Sequence, residues 1–305
     1  MTAATGTVAE TPAGKRPSLR HRLADRGVDR VLLLLVPGVV FLGLLFVYPF
    51  LYGLQLSLLP ASGGLFDNYQ TFFSDSYLRD TIWTTLSLGV PAALFNVLAS
   101  VPIAYRMRGR FRFKRTITTL LVVPIALGTV LTADGLIELV GPAGWLNKLL
   151  VDFKVINEPL VLIHNYWGVL FSLIITGFPF AFLLVLSYLS GIDPNLERAA
   201  AVMGAGWWER FRRITFPLLV PGLAITFCLS FVLAFSVFPS ANLVGDPAGE
   251  TRVISIAAYH AAFEQFDYSM GSAISMIMGA IMLGIIALVL GWRSTMFRGA
   301  TGGKG

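Results

Sequence analysis

The stretch Asp193-Pro194-Asn195-Leu196-Glu197-Arg198-Ala199-Ala200-Ala201-Val202-Met203-Gly204-Ala205-Gly206, continuing through Trp207-Trp208-Glu209-Arg210-Phe211-Arg212-Arg213 to Pro217, stands between two long apolar segments. Asp193 is a side-chain cap for a helix that Pro194 opens, Ala199 to Ala201 keep that helix slim, and Gly204 to Gly206 end it. A second short helix, Trp207 to Arg213, carries three arginines before Pro217 opens the next apolar run. Two short helices joined by a glycine bend, one with a narrow alanine face, form a surface suited to enter a groove of another protein. The plainer alternative is an amphipathic linker with no partner.

The segments on either side decide the class. With 55% hydrophobic and 13% charged residues among 305, the chain is too apolar for an ordinary soluble domain. A helix needs about 20 apolar residues to cross a hydrocarbon core of ~30 Å. Six runs qualify, near 31–56, 82–105, 116–139, 164–190, 218–243 and 271–292. They are continuous and lack the alternation of barrel strands, so they are helices, the form that satisfies its own backbone in lipid. The expected fold is all-α and polytopic. Its expected domains are a basic segment 1–30, a six-helix membrane domain 31–292 with the docking loop at 191–217, and a tail 293–305. Residues 1–14 read as a disordered leader, and the first span reads as retained, not as a cleaved signal.

Basic residues collect in short cytoplasmic segments. Here they precede span one, fill the linker between spans two and three, recur in the docking loop and return in the tail. Of the 23 Lys and Arg, only Arg79, Lys148, Lys154 and Arg252 fall on the opposite side. Both termini and the docking loop are therefore expected in the cytoplasm. Topology accounts for the net charge of +6, and no nucleic-acid partner is needed. The one cysteine, Cys228, lies in span five and reads as a small buried residue.

The docking loop resembles the "EAA" cytoplasmic loop of permease subunits of binding-protein-dependent ABC importers. The resemblance is carried by Glu197, Ala199, Ala200, Gly204, Ala205 and Pro217, with Met203 departing where an aspartate is frequent. It implies a permease forming half of a pathway in a bacterial inner membrane, paired with a second six-helix permease, a heterodimer being favoured. It also implies a pair of cytoplasmic ATPase subunits that bind ATP and Mg, and an extracytoplasmic solute-binding protein. On this reading Glu197 makes an electrostatic contact with the ATPase, while Ala200 and Gly204 allow close approach. Arg210, Arg212 and Arg213 either join that contact or anchor at headgroups.

Missing motifs agree with such a division of labour. No Gly-x-x-x-x-Gly-Lys-[Ser/Thr] loop is present, and His21, His164 and His260 have no metal-like spacing. Neither a catalytic activity nor a cofactor of its own is expected of the chain. Two other classes fit the residues less well. An ion-coupled secondary transporter needs mid-membrane carboxylates, and a membrane-embedded enzyme needs a catalytic constellation.

Candidate pathway residues are the polar ones at membrane depth. Asp134 and Glu138 share a helix face, about 27 Å along from Thr116, near the outer interface. They are either vestibule carboxylates suited to cationic cargo or interfacial groups. Asn96, Thr176 and Ser236 lie deeper, and helix-to-helix bonding competes with ligand contact as the explanation of Asn96. Gly177, Pro179, Pro221, Gly222 and Pro239 are expected to let the later spans bend. For cargo, Ile156 to Leu160, Phe178-Pro179-Phe180 and Val101 to Tyr105 look like spermidine/putrescine-type permeases. Phe263 to Tyr268 looks equally like sugar permeases of the maltose and glycerol-phosphate type.

Overall fold

In a computed structural model the chain is described over residues 30–60, 63–109 and 112–297. The expected leader, the basic residues from Lys15 to Arg26, Arg110, and the tail beyond Phe297 lie outside the described residues. The chain divides into two units, Met1–Tyr52 and Gly53–Gly305. In the first, helix α1 (Arg30–Leu42) leads into a π turn (Gly43–Val47) and the opening of α2 (Tyr48–Ser57). Its side chains from Leu34 to Tyr52 are apolar and nearly all exposed. A surface of that kind belongs in lipid or against another membrane helix.

The second unit continues with α3 (Asp67–Ser74), α4 (Ser76–Met107), α5 (Lys114–Val140), α6 (Trp145–Asp152) and α7 (Tyr166–Ser190). The docking segment supplies α8 (Pro194–Val202) and α9 (Trp207–Arg210). Then come α10 (Phe216–Phe235), α11 (Pro239–Leu243), α12 (Ile254–Tyr259) and α13 (Tyr268–Phe297). Among the described residues six helical stretches are long and apolar enough to cross a membrane: Leu34–Ser57, Ser76–Met107, Lys114–Asp152, Tyr166–Ser190, Trp207–Phe235 and Tyr268–Thr295. No strand is present among the described residues.

The core of this unit is the packing of α4 against α7 and α10, with α5 laid on α7 and α13 on α10 and α12. Lipid tails are as apolar as leucine, so close approach and interhelical bonds hold such helices together, each bond contributing about 0.6 kcal/mol. Ala92, Ala93 and Ala104 are fully buried along α4. At Gly89 the backbone of Phe235 comes so near that an added Cβ would sit 3.4 Å from it. Polar ties run across the same contacts: Thr85 Oγ1 accepts from the Ile254 amide at 2.9 Å, and the Ser172 and Ser240 hydroxyls meet at 2.9 Å.

Three boundaries differ from the sequence expectation. Span two begins at Ser76, well before 82, because the Asp75 carboxylate accepts the Tyr77 amide and starts the helix among polar residues. Span five does not reach 243. It stops at Phe235, and the chain turns through Phe238 (φ −128°) before Pro239 opens α11. The second docking helix is not separate from span five: α9 runs through a π turn, Phe211–Thr215, straight into α10. Pro179 and Pro221 sit inside helices that continue past them, whereas α5 is broken at Gly128 (φ 75°, ψ 176°).

That backbone conformation is almost exclusive to glycine and costs another residue about 1–3 kcal/mol. The Thr132 hydroxyl donates to the Gly128 carbonyl at 2.7 Å and satisfies one group the break leaves loose. Gly128→Ala should therefore lower the denaturation midpoint of the solubilised chain by the equivalent of about 2 kcal/mol. Gly135→Ala, at a helical glycine with open space around it, should leave the midpoint within about 0.5 kcal/mol.

Candidate functional site

Helix α8 is bounded by local chemistry at both ends. The Asp193 carboxylate accepts the Asn195 amide at 2.9 Å, and Pro194 occupies the first turn, where its missing N–H is no loss. At the other end the Gly204 amide donates to the Ala201 carbonyl and the Ala205 amide to the Ala200 carbonyl, both at 3.0 Å. This paired closure requires a left-handed residue, and Gly204 has φ 88°. No atom of this chain lies within 4 Å of where its Cβ would lie, so within the chain Gly204 serves backbone conformation.

The faces of α8 divide cleanly. Glu197 is 8% exposed and Ala200 7%, whereas Val202 is 89% and Met203 81% exposed. Leu196, Arg198, Ala199 and Ala201 also face out, and Ala205 is half-buried. The inward Glu197 carboxylate is held by its own chain. It accepts from the Arg108 guanidinium, which follows the last turn of α4, and from the Thr215 hydroxyl in the π turn. The Tyr105 hydroxyl adds longer bonds of 3.3 and 3.4 Å. Burial alone would push this carboxyl upward, but bonds from Thr215 and Arg108 and the arginine charge outweigh it and hold the group below its ordinary 4.5. Within this chain the Glu197 carboxylate faces inward and ties α8 to α4 and to the root of α10.

Aromatic rings close the same corner. Tyr105 meets Phe211 edge-on at 5.0 Å and Trp207 at 5.9 Å, and the Arg108 guanidinium lies 4.6 Å from the Tyr105 ring centre. Arg213 pairs with Glu209 at 3.0 Å on the exposed surface, an ordinary helix pair of small energy. Arg210 is half-buried, and its Nε has no partner among the described residues.

The membrane-depth candidates separate into two sets. Asn96 (α4), Thr176 (α7) and Ser236 (the cap of α10) line one cavity of about 280 Å³. Two residues the sequence did not single out, Thr129 beside the Gly128 break and Ser230 in α10, line it too. Asn96 is 2% exposed and donates from Nδ2 to the Leu173 carbonyl at 3.3 Å. Its Oδ1, and the buried Ser230 hydroxyl, have no partner among the described residues. Gly177 is needed against this amide, since an added Cβ would collide with Asn96 Nδ2. Asp134 and Glu138 are exposed on α5 and do not line the cavity. Arg108, Tyr105 and Thr215 are also invisible to motif reading. In sequence Arg108 is one topological charge among many, and hydroxyls carry no signal of their partners.

A polytopic helical membrane protein with a short capped helix tied to its bundle is the class these features define. The family model "Binding-protein-dependent transport system inner membrane component" matches residues 12–298. The chain belongs to that family of permeases. It is 32% identical over 206 residues to a probable sulfate transport system permease of Prototheca wickerhamii, covering 67% of this chain and 79% of that one. Over 218 residues it is 27% identical to a spermidine/putrescine transport system permease of Haemophilus influenzae, covering 68% and 76%. A bacterial alginate ABC transporter, solved with its alginate pentasaccharide-bound periplasmic protein, has a chain of the same fold. The TM-score is 0.76 at 23% identity, covering 92% of this chain and 98% of that one.

Arg108→Gln should cost about 3 kcal/mol, because it leaves a buried carboxylate without its counter-charge. The Arg108→Gln, Glu197→Gln double variant should cost less than the two single changes together, as a double-mutant cycle on denaturation midpoints will read. A carboxyl held low by the fold stabilises fully above its unfolded pKa, and that stabilisation is lost as pH falls toward the lowered folded value. The midpoint should therefore be insensitive to this group between about pH 5 and 8 and drop below, with the drop diminished in Glu197→Gln.

Proposed function

We propose that this permease forms half of the translocation pathway of an ABC importer in a bacterial inner membrane, with α8 as the element through which ATPase subunits move it. The observation that carries the reading is the division of faces on α8. Its inward face is tied by Glu197 to α4 and α10, and its outward end presents Val202 and Met203 almost wholly to solvent. A nine-residue helix, about 13 Å long, with bare apolar side chains at its tip is a plug for a groove. On this reading both termini and the 193–213 loop are cytoplasmic. ATP and Mg are bound by a separate pair of ATPase subunits, and this chain has no catalytic role. A second six-helix permease completes the pore, and an extracytoplasmic binding protein delivers cargo. Leu196, Val202 and Met203 make the partner contact together with Ala199 and Ala201. Gly204 and Ala205 set the tip, Ala200 and Glu197 seat the helix, and Arg210 and Arg213 flank the joint.

The 280 Å³ cavity is the proposed passage, with Asn96, Thr176 and Ser236 as its polar contacts and Thr129 and Ser230 added by geometry. A broken helix at membrane depth is tolerated where it faces protein or a watery cavity, which fits Gly128 beside Thr129. For cargo, the likeness to a polyamine permease supports a polyamine-like solute. The carbohydrate alternative draws on the alginate transporter's fold and on a cavity wall built from amide and hydroxyl groups. Asp134 and Glu138, which suited a cation, stay on the outer surface of α5 in either case. An ion-coupled mechanism is the weaker reading, since no carboxylate is among the residues lining the cavity.

In a complex reconstituted with its ATPase, partner permease and binding protein, Met203→Asp should abolish cargo-stimulated ATP hydrolysis while the two permeases still co-purify. Asn96→Ala should slow cargo uptake at least about tenfold, with basal hydrolysis retained. Full stimulation in Met203→Asp would defeat the coupling role of α8.

A further inference from the structure

A second cavity, of about 590 Å³, lies where the end of α4 meets the docking segment. One wall is α4 from Leu98 and Val101 to Arg106, with Arg108 just past its end, and the other is formed by Trp207, Trp208, Phe211 and Phe216. From Leu98 to Arg108 the chain rises about 15 Å, half of a hydrocarbon core of ~30 Å. The wall is apolar at its deep end and basic at its shallow end. Leu98 and Phe216 remain exposed, as do Trp207 (56%) and Trp208 (61%), although the rings of Trp207 and Phe211 stack at 6.2 Å. Arg106 is exposed and makes no ion pair among the described residues. Arg108 gives Nη2 to Glu197, while its buried Nη1 has no partner among the described residues.

We infer that this cavity holds one anionic phospholipid, its phosphate between Arg106 and Arg108 and an acyl chain along Leu98, Val101 and Phe216. Guanidinium groups bind phosphate oxygens through paired donors, and indole rings sit at the headgroup level with their apolar bodies toward the chains. A soluble protein segment satisfies the basic rim but is poorly matched to the deep wall, which belongs to a helix long and apolar enough to cross a membrane. The inference rests on the membrane embedding and not on the transport reading. The lipid joins the same arginine that holds Glu197, so it fastens the base of the docking helix to one leaflet.

The test uses the full chain in detergent, titrated with phosphatidylglycerol or phosphatidylcholine carrying brominated acyl chains, and reads quenching of tryptophan fluorescence. Phosphatidylglycerol should quench at about fivefold lower concentration, the factor one arginine near an anionic headgroup supplies. Arg106→Gln should remove that preference and Arg106→Lys keep most of it. In the Trp207→Phe, Trp208→Phe chain the preferential quenching should disappear even though Trp83, Trp145, Trp167 and Trp292 remain. Equal quenching by the two lipids in the native chain, or an unchanged preference in Arg106→Gln, overturns the inference. Reversal by millimolar inorganic phosphate would assign the arginines to a soluble anion, and displacement by added ATPase subunits would assign the cavity to a protein interface. Either result also overturns it.

Discussion

One ion pair conditions the arrangement of the docking end. Glu197 and Arg108 are separated by 89 residues and belong to different elements, yet each is the other's principal charge partner in a half-dry corner. Leaving either unpaired there costs more than the pair itself contributes. The carboxylate also takes the Thr215 hydroxyl from the base of α10. One side chain thereby fixes three elements, and α8 is held to the bundle by more than the loops at its ends. Ala200 on the same inward face follows from this constraint, because a small side chain one turn on keeps α8 close enough for the carboxylate to reach α4.

The membrane-depth polar groups obey a different constraint. In lipid, a broken helix or an unsatisfied amide has no water to turn to. The break at Gly128, and the Asn96 oxygen and Ser230 hydroxyl that have no partner among the described residues, would each be costly if they faced acyl chains. Gathered at one cavity, Thr129 standing for the break, they are mutually consistent, since solvent or cargo within it can meet their bonding needs. Asn96 also ties α4 to α7, so the alternative of helix-to-helix bonding is satisfied by one end of its amide while the other end stays available.

Sequence rules reached as far as local chemistry reaches. Asp193, Pro194 and Gly204 could be assigned their places from residue type alone, because caps and left-handed closures depend on a few neighbouring residues. Six spans were visible as runs, since the bilayer sets one length for all. What stayed hidden depended on which faces meet. Nothing local to Glu197 indicates that it turns toward Arg108, or that Ala200 shares its inward face. Likewise Asp134 and Glu138 share a helix face, but only the packing of α5 on α7 decides that this face is not the one on the cavity. Proline was a partial guide to breaks: the chain turns before Pro239, but the helices run on past Pro179 and Pro221, and α5 breaks at a glycine that no proline flanks.

The union of α9, the π turn and α10 has a mechanical meaning. Trp207 to Phe235 is one continuous helical stretch, about 42 Å along its path at a rise of ~1.5 Å per residue. Its foot touches α8 and its head ends beside Ser236 at the cavity. Each 5° of tilt about the foot swings the head by about 4 Å, a geometric consequence of that length. A cavity of 280 Å³ is only about 6.5 Å across if equidimensional, so such a swing is comparable to the width of the cavity itself.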